Sequence, residues 1–508
     1  MTTVENNKRI AKNTLFLYIR MILLMGVTLY TSRVILQVLG VEDFGIYNVV
    51  GGIVTMFAFI NGGMISATQR YITFEIGKNN NEQLSRVFST ALQIHAVISV
   101  VIIILAETIG LWFLYNKMVI PEGRMAAAMW VYQCSIIACV VNIMSIPYNA
   151  DIIAHEKMSA FAYISIIEAS LKLAIVFLLL IFPFDKLIVY AFLILVVQLI
   201  IRFIYSNYCK KHFEESKYRH QINKSLFKEM ATFAGWSFWG NLAGVLYTHG
   251  LNLMLNVFFG PVVNAARAIA VQVQGAVQQF VGNFQMAMNP QITKNYALGD
   301  LEQMHSLMFR SARFSFFLLY LITLPVLIET DYILALWLKT VPNETVIFTR
   351  IMVAVSLIYT TANPCVIANQ ATGKVKIYQM VVGGILLTIL PISYIVLKLG
   401  APAYSVFLVH FCVEATAQFS RMYMLRKLIN LAVVEYFKNI YLPILLTVMI
   451  SVVLPIYISY HYDEGLIRFV FVGMISVMSV IITVIFIGLT KGEREFISDK
   501  VLHILKIK

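Results

Sequence analysis

Charge is scarce in this chain of 508 residues: Asp, Glu, Lys and Arg together make up 13%, and only 26 residues are acidic. A water-soluble domain carries about 25% charged residues, so a chain this poor in them has too little polar surface to cover itself in water. Cysteine is also rare. The five present (Cys134, Cys139, Cys209, Cys365 and Cys412) are scattered, which excludes a disulfide framework and a finger-type zinc spacing and leaves them as small hydrophobes. There is no Gly-rich phosphate loop, no nucleophile motif, no pair of carboxylates on connected loops and no long polar segment. Nothing here builds a reaction centre, so the chain reads as a non-enzyme that needs no metal and no cofactor.

What fills the chain instead is apolar. Hydrophobic residues reach 59% and mean hydropathy is +0.79, which suits a bilayer, where each crossing helix needs about 20 apolar residues. Hydropathy marks about fourteen spans, roughly 14–37, 44–66, 88–113, 125–147, 159–182, 187–206, 231–255, 262–288, 309–328, 346–368, 375–397, 402–424, 437–459 and 466–489. The expected fold class is therefore an all-α integral membrane protein. Met1 to Lys12 is polar and basic and the first span has no small-residue cleavage site, so that span reads as a retained helix.

The formal net charge is +13, but its placement argues against nucleic acid. Connections alternate between nearly uncharged and strongly basic. Lys8, Arg9 and Lys12 precede the first span. Lys210, Lys211, Lys217, Arg219, Lys224 and Lys228 lie between the sixth and seventh, and Lys491, Arg494, Lys500, Lys506 and Lys508 end the chain. The positive-inside rule puts all of these, and both termini, in the cytoplasm, where they can also meet anionic lipid.

The chain also repeats itself weakly. Gly40, Gly62, Ile72-Thr73 and Glu82-Gln83 recur 220 residues later as Gly260, Gly282, Ile292-Thr293 and Glu302-Gln303. Pro147, Ala154 and Lys157 recur 217 residues later as Pro364, Ala371 and Lys374. Two similar membrane-embedded halves with a site between them are characteristic of secondary transporters. The expected division is 1–206 (spans one to six), 207–230 (a basic cytoplasmic linker), 231–424 (spans seven to twelve) and 425–508 (two extra spans and a tail).

Charged or strongly polar side chains in hydrocarbon cost about 2.5–3.5 kcal/mol each at a helix centre and call for a reason. In the eighth span Arg267, Gln274, Gln278 and Gln285 fall within roughly 20° of one line over about 27 Å. Such a row suits hydroxyl-rich or phosphorylated ligands in a wet cavity. Gln272, Gln279 and Asn283 make a second row on nearly the opposite face, and one of the two can simply bond neighbouring helices. Glu168 and Lys172 stand four apart, as a neutralising pair or as a gate. His410, Glu414 and Gln418 share a face, and an unpaired Glu414 could carry a proton. Arg20 has no acidic residue in its own helix and is a candidate anion-facing residue. His249 is a polar group inside the seventh span. Arg313 lies near a span end, where snorkelling accounts for it.

Asn13-Thr14 leads into the first span. Leu39-Gly40-Val41-Glu42-Asp43-Phe44-Gly45-Ile46-Tyr47-Asn48 enters the second, and Gln69-Arg70-Tyr71 leaves it. These stretches resemble the polysaccharide and O-antigen (Wzx-type) flippases of the multidrug/oligosaccharidyl-lipid/polysaccharide (MOP) exporter superfamily, whose LG-x-x-x-[FY]-G-x-[FY] turn is intact here. The resemblance implies two pseudo-symmetric six-helix bundles around a central cavity lined by spans one, two, seven and eight, plus two extra C-terminal helices beside a groove for a polyprenyl tail. It places Arg20, His249, Arg267, Gln274, Gln278 and Gln285 in the substrate path, with basic residues holding a pyrophosphate. It further implies translocation of an undecaprenyl-pyrophosphate-linked oligosaccharide, for O-antigen, capsule or a related glycan, across the bacterial inner membrane, with membrane lipids and glycan-polymerase machinery as partners. The carboxylates that couple H+ or Na+ in drug-exporting relatives are not matched; Glu168, Lys172, His410 and Glu414 are the gating or coupling candidates. Rival readings are a cation-coupled drug antiporter of the same fold and, from another class, a membrane-embedded glycan polymerase or acyltransferase, which would need a longer outer loop than any here.

Overall fold

A backbone in hydrocarbon must satisfy its own N–H and C=O groups, and a helix does so within one segment. The computed structural model describes residues 3–57, 62–116, 120, 123–181, 183–217, 223–338 and 341–495; among them every regular element is helical and there is no strand. The principal helices are α1 (Thr3–Phe57), α2 (Gly62–Gly77), α3 (Asn81–Asn116), α4 (Met125–Ala154), α5 (Met158–Ile181), α6 (Lys186–His212), α7 (Lys224–Phe259), α8 (Pro261–Ala297), α9 (Leu301–Ile328), α10 (Thr345–Thr372), α11 (Val375–Lys398), α12 (Ser405–Ile429), α13 (Val433–His461) and α14 (Leu466–Gly488). Among the described residues 10 helices are long and apolar enough to cross a membrane. The other expected spans fall on α1 and α2, and on α8 and α12, which are long but carry many polar residues.

The chain forms two compact units: residues 1–241 with 293–299, and residues 242–292 with 300–508. In the first, α4 packs along α6 and α1 along α5, around a core that includes Val131, Tyr132, Leu187 and Leu195. In the second, α10 packs against both α9 and α12, around Leu255, Phe348, Phe407 and Val413. Large apolar side chains such as Ile181, Phe203, Ile467 and Phe486 stay exposed, as lipid-facing positions do. α7 and α8, 36 and 37 residues long, each belong partly to one unit and partly to the other, because the unit boundaries fall inside them.

The repeat read in the sequence has a backbone counterpart. Gly40 breaks α1 at φ 77°, ψ 170°, and Gly260 separates α7 from α8 at φ 80°. Asn79 (φ 52°) matches Gly299 (φ 78°). The next residues, Asn80 and Asp300, cap α3 and α9 by accepting from the Gln83 and Gln303 amides at 3.1 and 3.0 Å. Pro147 and Pro364 sit inside α4 and α10. Both helices are followed by a left-handed residue, Glu156 (φ 58°) and Gly373 (φ 75°).

Candidate functional site

α8 carries the densest polar pattern, and the structure sorts its two rows. Gln274 donates to the Met352 carbonyl at 3.3 Å and Gln278 to the Ser356 hydroxyl at 3.2 Å. Gln285 donates to the Ser315 hydroxyl and the Thr360 carbonyl, both at 3.2 Å. These three glutamines therefore lie on the seam with α9 and α10 and bind neighbouring helices. The face left exposed carries Ala268, Gln272, Gly275, Gln279 and Gly282, a stripe of amides and small residues within about 80° of one line. Asn283, expected on that second row, is buried and donates to the Gln279 carbonyl of its own helix. Helical period told the faces apart; only the neighbours decided which was open.

Arg267 is 8% exposed. Its guanidinium donates to the Thr248 carbonyl at 2.8 Å and to Asn252 Oδ1 at 3.3 Å, while its Nε finds no acceptor. No carboxylate pairs with it among the described residues, so its charge is uncompensated where an unpaired ion is costly. His249, on the same helix as Thr248, is exposed.

On α12 the expectation of an unpaired Glu414 needs correction. Glu414 accepts from Arg421 at 2.7 Å, and both side chains are buried. Seven residues is two helical turns, so the partner shares the face. His410 is buried with its ring 5.1 Å from that of Tyr247, within electrostatic reach of both Glu414 and Arg267. Gln418 donates to the Thr361 carbonyl at 3.2 Å. Arg313 does not snorkel: it is buried and makes a fork on Glu493 at 2.7 and 2.8 Å.

In the first unit Glu168 and Lys172 form an ion pair at 2.6 Å. Arg20 lies over the Phe161 ring at 4.5 Å, with Glu168 and Tyr205 in electrostatic reach from other helices.

Two clusters of the first unit were not singled out by sequence. Glu156, 3% exposed, receives Arg9 from α1 at 2.9 Å and Lys294 from the end of α8 at 2.6 Å, and its carbonyl accepts from Asn13 at 3.1 Å. Beside it, Asp151, His155 and Glu215 bring their ligand atoms within 4.8 Å of one another. The spacing Asp-x-x-x-His on α4 was visible, but Glu215 arrives from beyond α6, so no local motif could complete the set. The five cysteines are free thiols.

A family model described as polysaccharide biosynthesis protein matches residues 10–296. No curated protein matches the chain. Among solved structures, the chain is similar to a multidrug resistance MATE family transporter of the MOP superfamily in its outward-facing conformation. The TM-score is 0.71 at 13% identity, over 84% of this chain and 96% of that one. It is also similar to a MATE in the bent conformation (TM-score 0.73, 12% identity, 84% and 96% covered). A third is a MOP superfamily transporter from Pyrococcus furiosus, described as having a binding pocket of reverse polarity that suggests a different function (TM-score 0.67, 13% identity, 82% and 96% covered). At such identities the likeness establishes the fold, which is that of MOP superfamily transporters.

Proposed function

The chain belongs to the polysaccharide biosynthesis protein family, and from that premise we propose that it is a flippase moving a lipid-linked oligosaccharide across the bacterial inner membrane by alternating access, with both termini cytoplasmic. The observation that carries this reading is the exposed stripe Ala268, Gln272, Gly275, Gln279 and Gly282 on α8. A helix of 37 residues, about 55 Å long, has no reason to offer lipid such a face; amides flanked by small residues suit sugar hydroxyls that approach closely.

A sugar head cannot cross about 30 Å of hydrocarbon unaided, because each hydroxyl stripped of water without a new partner costs about 2 kcal/mol or more. Amides that replace water one group at a time lower that barrier, while the lipid tail stays in the bilayer. In this reading Gln272 and Gln279 meet the sugars, with His249 and Arg20 as further contacts. Arg267, a cation without a carboxylate partner, meets the phosphate groups. Gln274, Gln278 and Gln285 hold the wall. The glycan, its undecaprenyl-pyrophosphate carrier, and a polymerase as downstream partner belong to the same proposal. A coupling H+ or Na+ would act through the Glu168–Lys172 or Glu414–Arg421 pair.

The drug-antiporter reading needs carboxylates aimed at a cationic cargo. The interior carboxylates of α5 and α12 are instead neutralised by Lys172 and Arg421, which favours the flippase.

In a strain lacking the native gene, the wild-type chain should restore surface glycan. Arg267→Ala and Gln279→Leu should lower that glycan at least about tenfold, a barrier change of about 1.4 kcal/mol or more, with normal protein in the membrane and lipid-linked precursor accumulating. Gln285→Leu should instead lower the amount of folded protein, because it strands the Ser315 and Thr360 groups. Unchanged glycan in Arg267→Ala, or extrusion of a fluorescent organic cation by the wild type, would sink the proposal.

A further inference from the structure

Asp151 sits in the last turn of α4 with 0% of its surface exposed, and neither carboxylate oxygen has a hydrogen-bond partner. A buried carboxylate in that condition either takes up a proton or pairs with a cation. The position aggravates the need, because the carbonyl end of a helix is itself negative. The nearest basic group is His155, whose Nε2 lies 3.7 Å from Asp151 Oδ1, too far for a hydrogen bond, and 2.6 Å from Glu215 Oε1. The imidazole is fixed by a parallel stack on Phe213, ring centroids 4.1 Å apart. Two carboxylates and one imidazole thus converge on one point with their ligand atoms within 4.8 Å of one another. Tetrahedral metal bonds of about 2.0–2.2 Å set donor atoms about 3.4 Å apart, so on binding the 2.6 Å His155–Glu215 contact opens by about 0.8 Å and the wider separation in the cluster closes. Asp151 closes the bottom of the cluster, while His155 keeps 25% of its side chain exposed as a way in.

We propose that Asp151, His155 and Glu215 bind one divalent transition-metal ion of the zinc class, with solvent at the fourth position. The ion neutralises the two carboxylates, and the imidazole nitrogen selects against Mg2+ and Ca2+, which take oxygen ligands. Because Glu215 belongs to the turn that follows α6 and Asp151 to α4, the ion fastens the start of the connection between α6 and α7 to the end of α4. This site stands apart from the glycan proposal and does not depend on it.

The test uses the full-length protein in detergent, stripped with a chelator, titrated with Zn2+ and with Mg2+, and assayed for bound metal after dialysis. One Zn2+ per chain is expected, displaced at least tenfold less readily by Mg2+ than by chelator. Glu215→Gln and His155→Ala should each weaken Zn2+ binding at least tenfold. Asp151→Asn supplies a second readout in thermal stability. Without metal it should melt higher than the wild type, since it removes a buried carboxyl that must otherwise take up a proton or stay charged without a partner, and with Zn2+ the order should reverse. Equal zinc stoichiometry in wild type, Glu215→Gln and His155→Ala would overturn the site, as would a wild type whose melting temperature ignores Zn2+.

Discussion

Pro147–Lys157 at the end of α4 and Pro364–Lys374 at the end of α10 are one piece of backbone built twice, 217 residues apart. Each has a proline inside the helix, a left-handed residue after it, and then a lysine. Where the first has Asp151, His155 and Glu156, the second has Ala368, Thr372 and Gly373. In the second turn Gly373 takes φ 75° at no steric cost, and the Thr372 hydroxyl donates to the Asn369 carbonyl at 2.7 Å and accepts from the Lys374 amide at 3.2 Å. In the first turn Glu156 holds a conformation that costs an L-residue about 1–2 kcal/mol, and its side chain gathers Arg9 and Lys294. The glycine version shows what the turn needs. The glutamate version accepts strain because its carboxylate is engaged elsewhere, the pattern expected of a site with a task.

The largest effect should come from Glu156→Gly, which gives the first turn the residue of the second. It strands Lys294, whose side chain is 16% exposed, and breaking a buried pair by removing one partner costs about 3–5 kcal/mol, offset by about 1 kcal/mol of relieved strain. Thermal unfolding in detergent should show a clear drop in midpoint, and adding Lys294→Met should recover much of it. An undiminished midpoint in the single variant would mean the three-way contact stabilises nothing. The reverse graft, Gly373→Glu, should cost about 1–2 kcal/mol, because a side chain at φ 75° carries the strain that glycine escapes. If it matched Glu156→Gly in size, the two turns would not differ as argued.

The smallest effect concerns an exposed cluster, the contrast to the buried one. Arg124, just before α4, binds Asp43 at 2.6 Å and Asp185 at 2.5 Å. Partial burial pushes the Asp185 carboxyl up, but the Arg124 hydrogen bond and the Ile188 and Leu187 amides outweigh it and hold it below its ordinary 3.8. A depressed folded-state pKa gives stability that is present above the unfolded value and disappears as pH falls through the folded one. The midpoint difference between wild type and Asp185→Asn should therefore be small at pH 7, under about 1 kcal/mol for so exposed a pair, and should fade as pH falls below 3.8 through the depressed folded-state pKa. A difference that survives below that pKa would show that Asp185 acts through something other than its charge.

Several elements were legible because their physics is local. The Glu168–Lys172 pair followed from a spacing of four, and Gly40 and Gly260 from the apolar runs they end. The amide rows of α8 followed from helical period, yet period could not say which row met α9 and α10 and which stayed open. Glu414 reads as unpaired in the sequence although Arg421 faces it two turns later. Arg313 was read as a snorkelling side chain although Glu493, far along the chain, reaches it. In each miss, one partner lay outside the stretch of sequence being weighed.

By itself, then, the sequence determined the solvent this protein lives in, its helical backbone and its twofold internal repeat, because hydropathy and turn chemistry add up along the chain residue by residue. Only the tertiary structure decided that Glu156 joins Arg9 to Lys294, that Asp151 waits beside His155 and Glu215 without a hydrogen bond, and that Gln279 faces out while Gln285 faces in. Those facts depend on distance in space between groups far apart in sequence, and an electrostatic or ligand contact exists only once the packed helices have brought its partners within a few ångströms.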